Sequence, residues 1–315
     1  MVVVMSILIT GASGLLGSKM AEKAASVGYK VYSGYFMHKP NYGFPIKFDI
    51  RNRTAVEKAF KIASPEIVVH TVALTDVDKC EMDKELAWNI NVEGTRNLVD
   101  LCKQRGVFLI YISTDYVFKG DKGMYKETDE PEPINYYGLT KLKGEEEVID
   151  KLNEFCIARP SVIYGIKPLS GKSNFALWVI EKLRKNESIN VVMDQWVSPT
   201  LNTNLADMLL EVLERRLTGI YHLAGATRMN RYEFAKLIAE EFNLNHELIR
   251  PIAMCELKWK ASRPKDSSLD VSKAMKNLYN KPLQIKDAVR KLKEELIIKY
   301  VLESGSNMNN SCTSK

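Results

Sequence analysis

The stretch "ITGASGLLGS", Ile9–Ser18, follows the apolar run Met5–Leu8 and spaces Gly11, Gly14 and Gly17 three residues apart. A glycine loop that ends a predicted strand and opens a predicted helix permits a tight turn and close approach of the backbone to an anion. The helix N-terminus then faces the pyrophosphate of a dinucleotide. In this reading Gly11, Ser13, Gly14, Leu15, Leu16 and Gly17 form the cradle, and Ser13, Leu15 and Leu16 carry the backbone amides around the phosphates.

Outward from that loop, short apolar runs alternate with helical patterns. Ile7–Thr10, Val31–Gly34, Ile46–Asp49, Ile67–Thr71, Phe108–Ser113 and Cys156–Arg159 read as strands. Leu15–Ser26, Thr54–Ala63, Lys84–Arg105 and Tyr136–Asn153 read as helices between them. Strands apolar on both faces and separated by helices predict a parallel sheet covered on both sides. The expected fold is α/β: a Rossmann doubly wound parallel sheet over residues 1–160, with a smaller α/β substrate-binding lobe over residues 161–302 interleaved with it. In that lobe, helices are predicted near Asn174–Lys185, Asn204–Arg215, Arg231–Phe242 and Ile285–Val301, with "GIYHLA" and "ELIRPI" as strands. Residues 303–315, "ESGSNMNNSCTSK", are polar and aperiodic and read as a disordered tail.

Composition sets bounds on function. The 315 residues are 45% hydrophobic and 27% charged, ordinary values for a globular protein. A net charge of +6, with the lysines of "KLKGEEE" offset by neighbouring acids, argues against nucleic-acid binding. Cysteines 80, 102, 156, 255 and 312 form no CxxC pair and no zinc spacing, so they read as reduced buried thiols of a cytoplasmic protein with no metal site. "MVVVMSILIT" lacks a basic n-region and reads as a first strand, with Met1 and Met5 both candidate starts; no run is long enough to span a membrane. "GIKPLSGKS" from Gly165 is a P-loop look-alike with five residues between its glycines instead of four, and is set aside.

Two further patterns carry chemistry. At the end of the second strand, "YSGYFMHKP" holds no acid for an adenosine ribose but does hold His38 and Lys39. A basic pair suits a 2′-phosphate and favours NADP, with NAD as the alternative. In "NYYGLTKLKGE", Tyr137 and Lys141 lie one helical turn apart, so an ammonium group can lower the tyrosine pKa and make an acid/base catalyst. "LIYISTDYVF" places Ser113, Thr114 and Asp115 where an apolar strand ends, the side of such sheets on which ligands bind. A hydroxyl there can polarise a substrate carbonyl; an ST-turn that only ends the strand is the alternative.

With its "TGASGLLG" loop and Tyr–Lys helix, the chain resembles extended short-chain dehydrogenases, and in particular the dTDP-4-dehydrorhamnose reductase family. The likeness spans about residues 5–300 and rests on "ALTDVDKCE" (73–81), "NVEGTRNL" (91–98), the long stretch from Ser113 to Glu145, "VVMDQWVSPT" (191–200) and "ASRPKDSSLD" (261–270). The resemblance implies hydride transfer from NADPH to the C4 carbonyl of dTDP-4-dehydro-L-rhamnose, with Thr114, Tyr137 and Lys141 as the catalytic set. It also implies adenine contacts from Asp49 and Ile50, cofactor contacts from Ala73, Tyr137 and Lys141, with Lys141 on the nicotinamide ribose, and Asn91 inside the active-site helix. The sugar nucleotide would meet Thr75, Val77, Asp78, Thr114 and Asp115, and its diphosphate Arg263. A homodimer is compatible with it.

One departure matters. Where the reductases usually carry a tryptophan, "ARPSVIYG" has Val162, which leaves Trp196 either as an alternative sugar-stacking face or as a buried packing residue. The beta regulatory subunit of methionine adenosyltransferase is similar too, also lacks that tryptophan and shares the Tyr–Lys pair. A second expectation therefore stands beside the reductase: a non-catalytic NADP-binding subunit whose partner is the methionine adenosyltransferase catalytic subunit. A different nucleotide-sugar reductase or epimerase is a third.

Overall fold

The computed structural model describes residues 5–166, 168, 171 and 173–311. Its first half alternates strand and helix: β1 (Ser6–Thr10), α1 (Leu15–Ser26), β2 (Lys30–Tyr35), β3 (Phe44–Lys47), α2 (Arg53–Ala63) and β4 (Ile67–His70). Then come α3 (Val77–Met82), α4 (Lys84–Trp88), α5 (Gly94–Arg105), β5 (Phe108–Ile112), α6 (Tyr136–Lys151) and β6 (Phe155–Arg159). The remainder comprises β7 (Ser161–Tyr164), α7 (Phe175–Arg184), β8 (Ile189–Val192), β9 (Trp196–Val197), β10 (Pro199–Leu201), α8 (Asn202–Arg215) and β11 (Gly219–His222). It ends with β12 (Met229–Asn230), α9 (Arg231–Glu241), β13 (Ile249–Ile252), α10 (Ser272–Asn277) and α11 (Ile285–Ser311).

Seven strands pair in the order β11-β6-β5-β4-β1-β2-β3, all parallel. The fold is α/β and doubly wound. Because side chains alternate across a strand, Ile7 and Ile9 of β1 enter one core while Leu8 enters the other. The first core packs Leu16, Met20 and Ala24 of α1 with Leu205, Leu209 and Val212 of α8. The second packs Val56 and Phe60 of α2, Leu98 and Cys102 of α5, and Val148 of α6. Fully buried apolar strands on both faces leave water only at their ends, and the order reverses between β1 and β4, where a crevice opens at the carboxyl edge.

The chain does not leave the sheet at residue 160. β11 pairs with β6, α8 packs on α1, and Lys23 of α1 forms an ion pair with Asp207 of α8. The second lobe is a separate core of α7, α9 and α11 around the parallel pair β8–β13, joined by the short pairs β7–β10 and β9–β12. The helix read as ending at Val301 continues to Ser311, through part of the stretch read as a disordered tail; residues 312–315 lie outside the described residues, as do Met1–Val4 and Lys167, Leu169, Ser170 and Lys172 of the P-loop look-alike.

The stretch Lys84–Arg105, read as one helix, is interrupted by a π-helical turn at Asn89–Glu93. Cys80, Cys102 and Cys156 are buried and in no disulfide, but Cys255 is exposed, contrary to its reading as a core thiol. No helix among the described residues is long and apolar enough to cross a membrane.

Candidate active site

The glycine loop answers its question residue by residue. Gly11 has φ +70°, and a Cβ there would sit 2.8 Å from Thr71 Oγ1, whose hydroxyl donates to the Thr10 carbonyl at 2.7 Å. A Cβ on Gly17 would lie 2.3 Å from the Gly11 carbonyl oxygen. Turn and helix packing therefore account for these two glycines. Gly14 differs: it is the N-cap of α1, with no side-chain cap and no acid in the first turn. The first N–H groups of the helix are left for an anion.

A cleft of about 490 Å³ opens beside this terminus. Gly11, Ser13, Gly14, His38, Asp49, Ile50 and Ala73 line it, as the sequence reading expects of cofactor-binding residues. Leu15, Leu16, Gly17 and Lys39 do not. Leu16 and Gly17 are buried against the sheet, Lys39 is exposed, and the Leu15 carbonyl accepts from Asn202 Nδ2 of the second lobe at 3.0 Å. Arg51, which the sequence reading passed over, lines the cleft too. The donor set fits a dinucleotide: an uncapped helix end for a pyrophosphate, and a long apolar-walled crevice beyond it.

Thr114, Tyr137 and Lys141 meet at the end of β5 and the first turns of α6. Thr114 caps a short 3₁₀ turn, its Oγ1 accepting the Tyr116 N–H at 3.2 Å, and it lies within hydrogen-bonding reach of the Tyr137 phenol. It thus ends the strand and faces the tyrosine at once. Close docking of α6 explains two more glycines. A Cβ on Gly138 would be 2.1 Å from the Tyr116 carbonyl oxygen, and one on Gly144 would be 2.1 Å from the Tyr111 hydroxyl.

Asn91, on the π-helical turn, ties this helix to the cleft. Its Oδ1 accepts the Leu74 N–H at 2.8 Å, while Nδ2 donates to the Leu74 carbonyl at 3.2 Å and to Thr140 Oγ1 at 2.9 Å. The loop after β4 and α6 are held by one side chain.

The electrostatics differ from the sequence expectation. Burial raises the Tyr137 pKa, opposed by the Thr114 hydrogen bond and reinforced by the Asp115 charge. The Lys141 ammonium does not offset this; it lies 4.1 Å from the centre of the Tyr111 ring. Burial pushes Lys141 down to about 7, against the opposing pull of Glu145. Beside it, burial and the Lys141 charge bring His70 down to about 3. Thr95 spends its hydroxyl proton on the Asn91 carbonyl at 2.7 Å, so at 3.1 Å it accepts from His70 Nε2–H. His70 Nδ1 then accepts from Thr10 Oγ1 at 2.8 Å, which fixes a neutral imidazole.

The expected sugar-binding residues part company. Asp115 is 3% exposed. Its Oδ2 accepts from Ser161 at 2.8 Å and Ser267 at 2.6 Å, and its Oδ1 from Thr114 at 3.1 Å. Both oxygens are occupied by hydroxyl groups, so Asp115 joins the two lobes rather than facing an open site. Asp78 accepts the backbone N–H groups of Lys260 and Ala261 and lies 3.0 Å from Arg263 Nη1. Although burial pushes its carboxyl up, the Ala261 N–H and the Arg263 side chain hold it below the usual range. Asp78 and Arg263 are therefore partners, the acid anchoring the loop that carries the arginine. Thr75 is exposed just before α3, and Val77 begins that helix half-buried. One face of Trp196 is covered by the Arg228 guanidinium, 4.0 Å from the ring centre and bound to Asp266, which closes that face to a sugar.

Val162 occupies an unusual backbone state. It has φ +41° at the point where the β7–β10 register shifts, the extra residue of a bulge. A β-branched residue there is strained. Among the described residues no group of three or more His, Cys, Asp or Glu is placed to hold a metal ion.

Residues 5–298 match the family model described as "RmlD substrate binding domain". The chain is 34% identical, over 84% of its length and 89% of the relative's, to the probable low-salt glycan biosynthesis reductase Agl14 of Haloferax volcanii. It is 33% identical, over 85% of its length and 81% of the relative's, to the methionine adenosyltransferase 2 subunit beta of Xenopus tropicalis. Among solved structures, a dTDP-4-dehydrorhamnose reductase from Bacillus anthracis in complex with NADP superposes with a TM-score of 0.83 at 32% identity, covering 93% of this chain and 99% of that one. On this match and the geometry above, the chain belongs to the RmlD substrate-binding domain family.

Proposed function

We propose that the protein is an NADPH-dependent reductase of a nucleotide-linked 4-keto sugar, with dTDP-4-dehydro-L-rhamnose as substrate and dTDP-L-rhamnose as product. The observation that carries this reading is the Thr114 hydroxyl facing the Tyr137 phenol, with Lys141 one turn further along α6, on a helix that Asn91 ties to Leu74 in the lining of a cleft that starts at an uncapped helix N-terminus. The NADP-bound relative from Bacillus anthracis supports the cofactor. Gly11, Ser13, Gly14, Ile50 and Ala73 would hold the dinucleotide along the cleft. When bound, NADPH supplies the hydride for the carbonyl carbon.

This chain's residues do the rest. Tyr137, with its pKa raised by burial, holds its proton at neutral pH and delivers it to the carbonyl oxygen as negative charge develops there. Thr114 positions the phenol and the oxygen that receives the proton. Lys141, one helical turn from Tyr137 and near its own midpoint at neutral pH, would orient the nicotinamide ribose. Arg263, held by Asp78, offers a guanidinium for a diphosphate.

The regulatory-subunit reading has one observation in its favour: the 33% identity to a methionine adenosyltransferase 2 subunit beta. One experiment separates the two. The purified chain is incubated with NADPH and freshly generated dTDP-4-dehydro-L-rhamnose, and the nucleotide sugar is identified by NMR. Formation of dTDP-L-rhamnose supports the reductase. Unaltered sugar, together with co-purification of a methionine adenosyltransferase, supports the subunit.

A further inference from the structure

The cleft carries a cation, Arg51, that comes from the turn after β3 and not from the end of β2. That strand ends at Tyr35 and is followed by Phe36 and Met37, with no acid to bind a ribose hydroxyl and repel a phosphate. Of the basic pair that follows, Lys39 is exposed and away from the cleft lining, while His38 lines it. Arg51, in the turn after β3, lines it as well.

The Arg51 guanidinium is held from one side. Nε lies 3.0 Å from each oxygen of Asp49, and Nη2 lies 2.5 Å from Oδ2. The Arg51 backbone N–H also donates to Asp49, at 2.9 Å. Nη1 has no hydrogen-bond partner among the described residues. With the Arg51 side chain 40% exposed, this short-range pair contributes little to fold stability. It does orient the fork, which reduces the ordering cost of binding a second anion.

We propose that Arg51 is the residue that selects a 2′-phosphorylated adenosine in this cleft, with Asp49 as its positioning residue. The inference rests on the dinucleotide reading of the cleft. A phosphate monoester carries about −1.5 to −2 charge at neutral pH and presents several acceptor oxygens, which suit a planar guanidinium. Nη1 supplies donors to it while Asp49 keeps Nε. A 2′-hydroxyl offers neither that charge nor those acceptors, so the arginine discriminates between the two cofactors.

The test is calorimetric titration of the full chain with NADP⁺, NAD⁺, adenosine 2′,5′-bisphosphate and 5′-AMP. The wild type is expected to bind the 2′-phosphorylated member of each pair more tightly. Arg51→Gln is expected to weaken NADP⁺ and the bisphosphate by roughly 10- to 100-fold while NAD⁺ and 5′-AMP stay within about twofold. Arg51→Lys, which keeps the charge but loses the fork, falls between. Retained NAD⁺ binding reports that each variant is folded. Equal losses for both dinucleotides in Arg51→Gln, no loss at all, or a selective loss in Lys39→Ala instead, would overturn the assignment while leaving the dinucleotide reading intact. A wild type that binds neither dinucleotide would overturn both.

Discussion

Asp115 accepts a hydrogen bond from Ser267 at 2.6 Å, joining the end of β5 to a second-lobe loop 152 residues further along the chain. The same oxygen accepts from Ser161, and the carboxylate's other oxygen meets the hydroxyl of Thr114. The group that fixes the lobes is thus adjacent to the group that faces Tyr137. Burial raises the Asp115 pKa, and the three hydroxyl donors, Ser267 foremost, counter it. Asp115→Ala leaves these buried hydroxyls without their acceptor and is expected to destabilise the protein by about 2–4 kcal/mol in denaturant unfolding. Asp115→Asn, which keeps one acceptor oxygen, should lose less than half as much. Equal losses for the two variants would show that the carboxylate acts only as a space-filler.

Val162 pays for its bulge in backbone strain. With φ +41° on a β-branched residue, glycine should be the better occupant of this position. Val162→Gly is expected to raise stability by about 1 kcal/mol, seen as a higher denaturation midpoint with an unchanged slope. A loss of stability would mean that the side chain's contacts outweigh the strain.

Lys141 couples stability to pH. It titrates at about 7 in the folded protein and in the ordinary lysine range when unfolded. Between those values the unfolded chain binds more protons, so the lysine's contribution makes stability rise with pH across that window. Below about 7 both states are protonated and the cost of burying the charge is fully present. Lys141→Met should therefore stabilise the fold by about 0.5–2 kcal/mol near pH 6, with the gain fading toward pH 10. The same variant should lose turnover. Melting curves across that range test the first half; a gain that grows with pH would contradict the assignment.

The parallel sheet and its flanking helices were legible because their signal is local. Ile67–Val69 and Phe108–Ile112 are apolar on both faces, the pattern of a covered parallel strand. The glycine loop and the Tyr137–Lys141 spacing are equally local. What was not legible depends on partners far away in sequence. Asp115 looks like a strand-end ligand until Ser161 and Ser267 are placed on it. Trp196 looks available until Arg228 covers one of its faces. The π-helical turn escaped because one widened turn barely disturbs the helical periodicity around it; its structural mark is Asn91, a wholly buried amide that bonds the Leu74 backbone and Thr140. Arg51 lines the cleft from the turn after β3, a placement that depends on the parallel pairing of β3 with β2 and not on any local pattern. β9, β10 and β12 are too short for any periodicity to register.

The most direct test of the central claim is sugar-dependent consumption of NADPH, followed by its absorbance with dTDP-4-dehydro-L-rhamnose present and absent, in the wild type and in Tyr137→Phe. The reductase reading predicts turnover by the wild type only when the sugar is added. It predicts a loss of at least roughly 100-fold in the variant, with NADPH affinity within about twofold of the wild type. Tight NADPH binding without sugar-dependent turnover, or a Tyr137→Phe variant that turns over like the wild type, would contradict it.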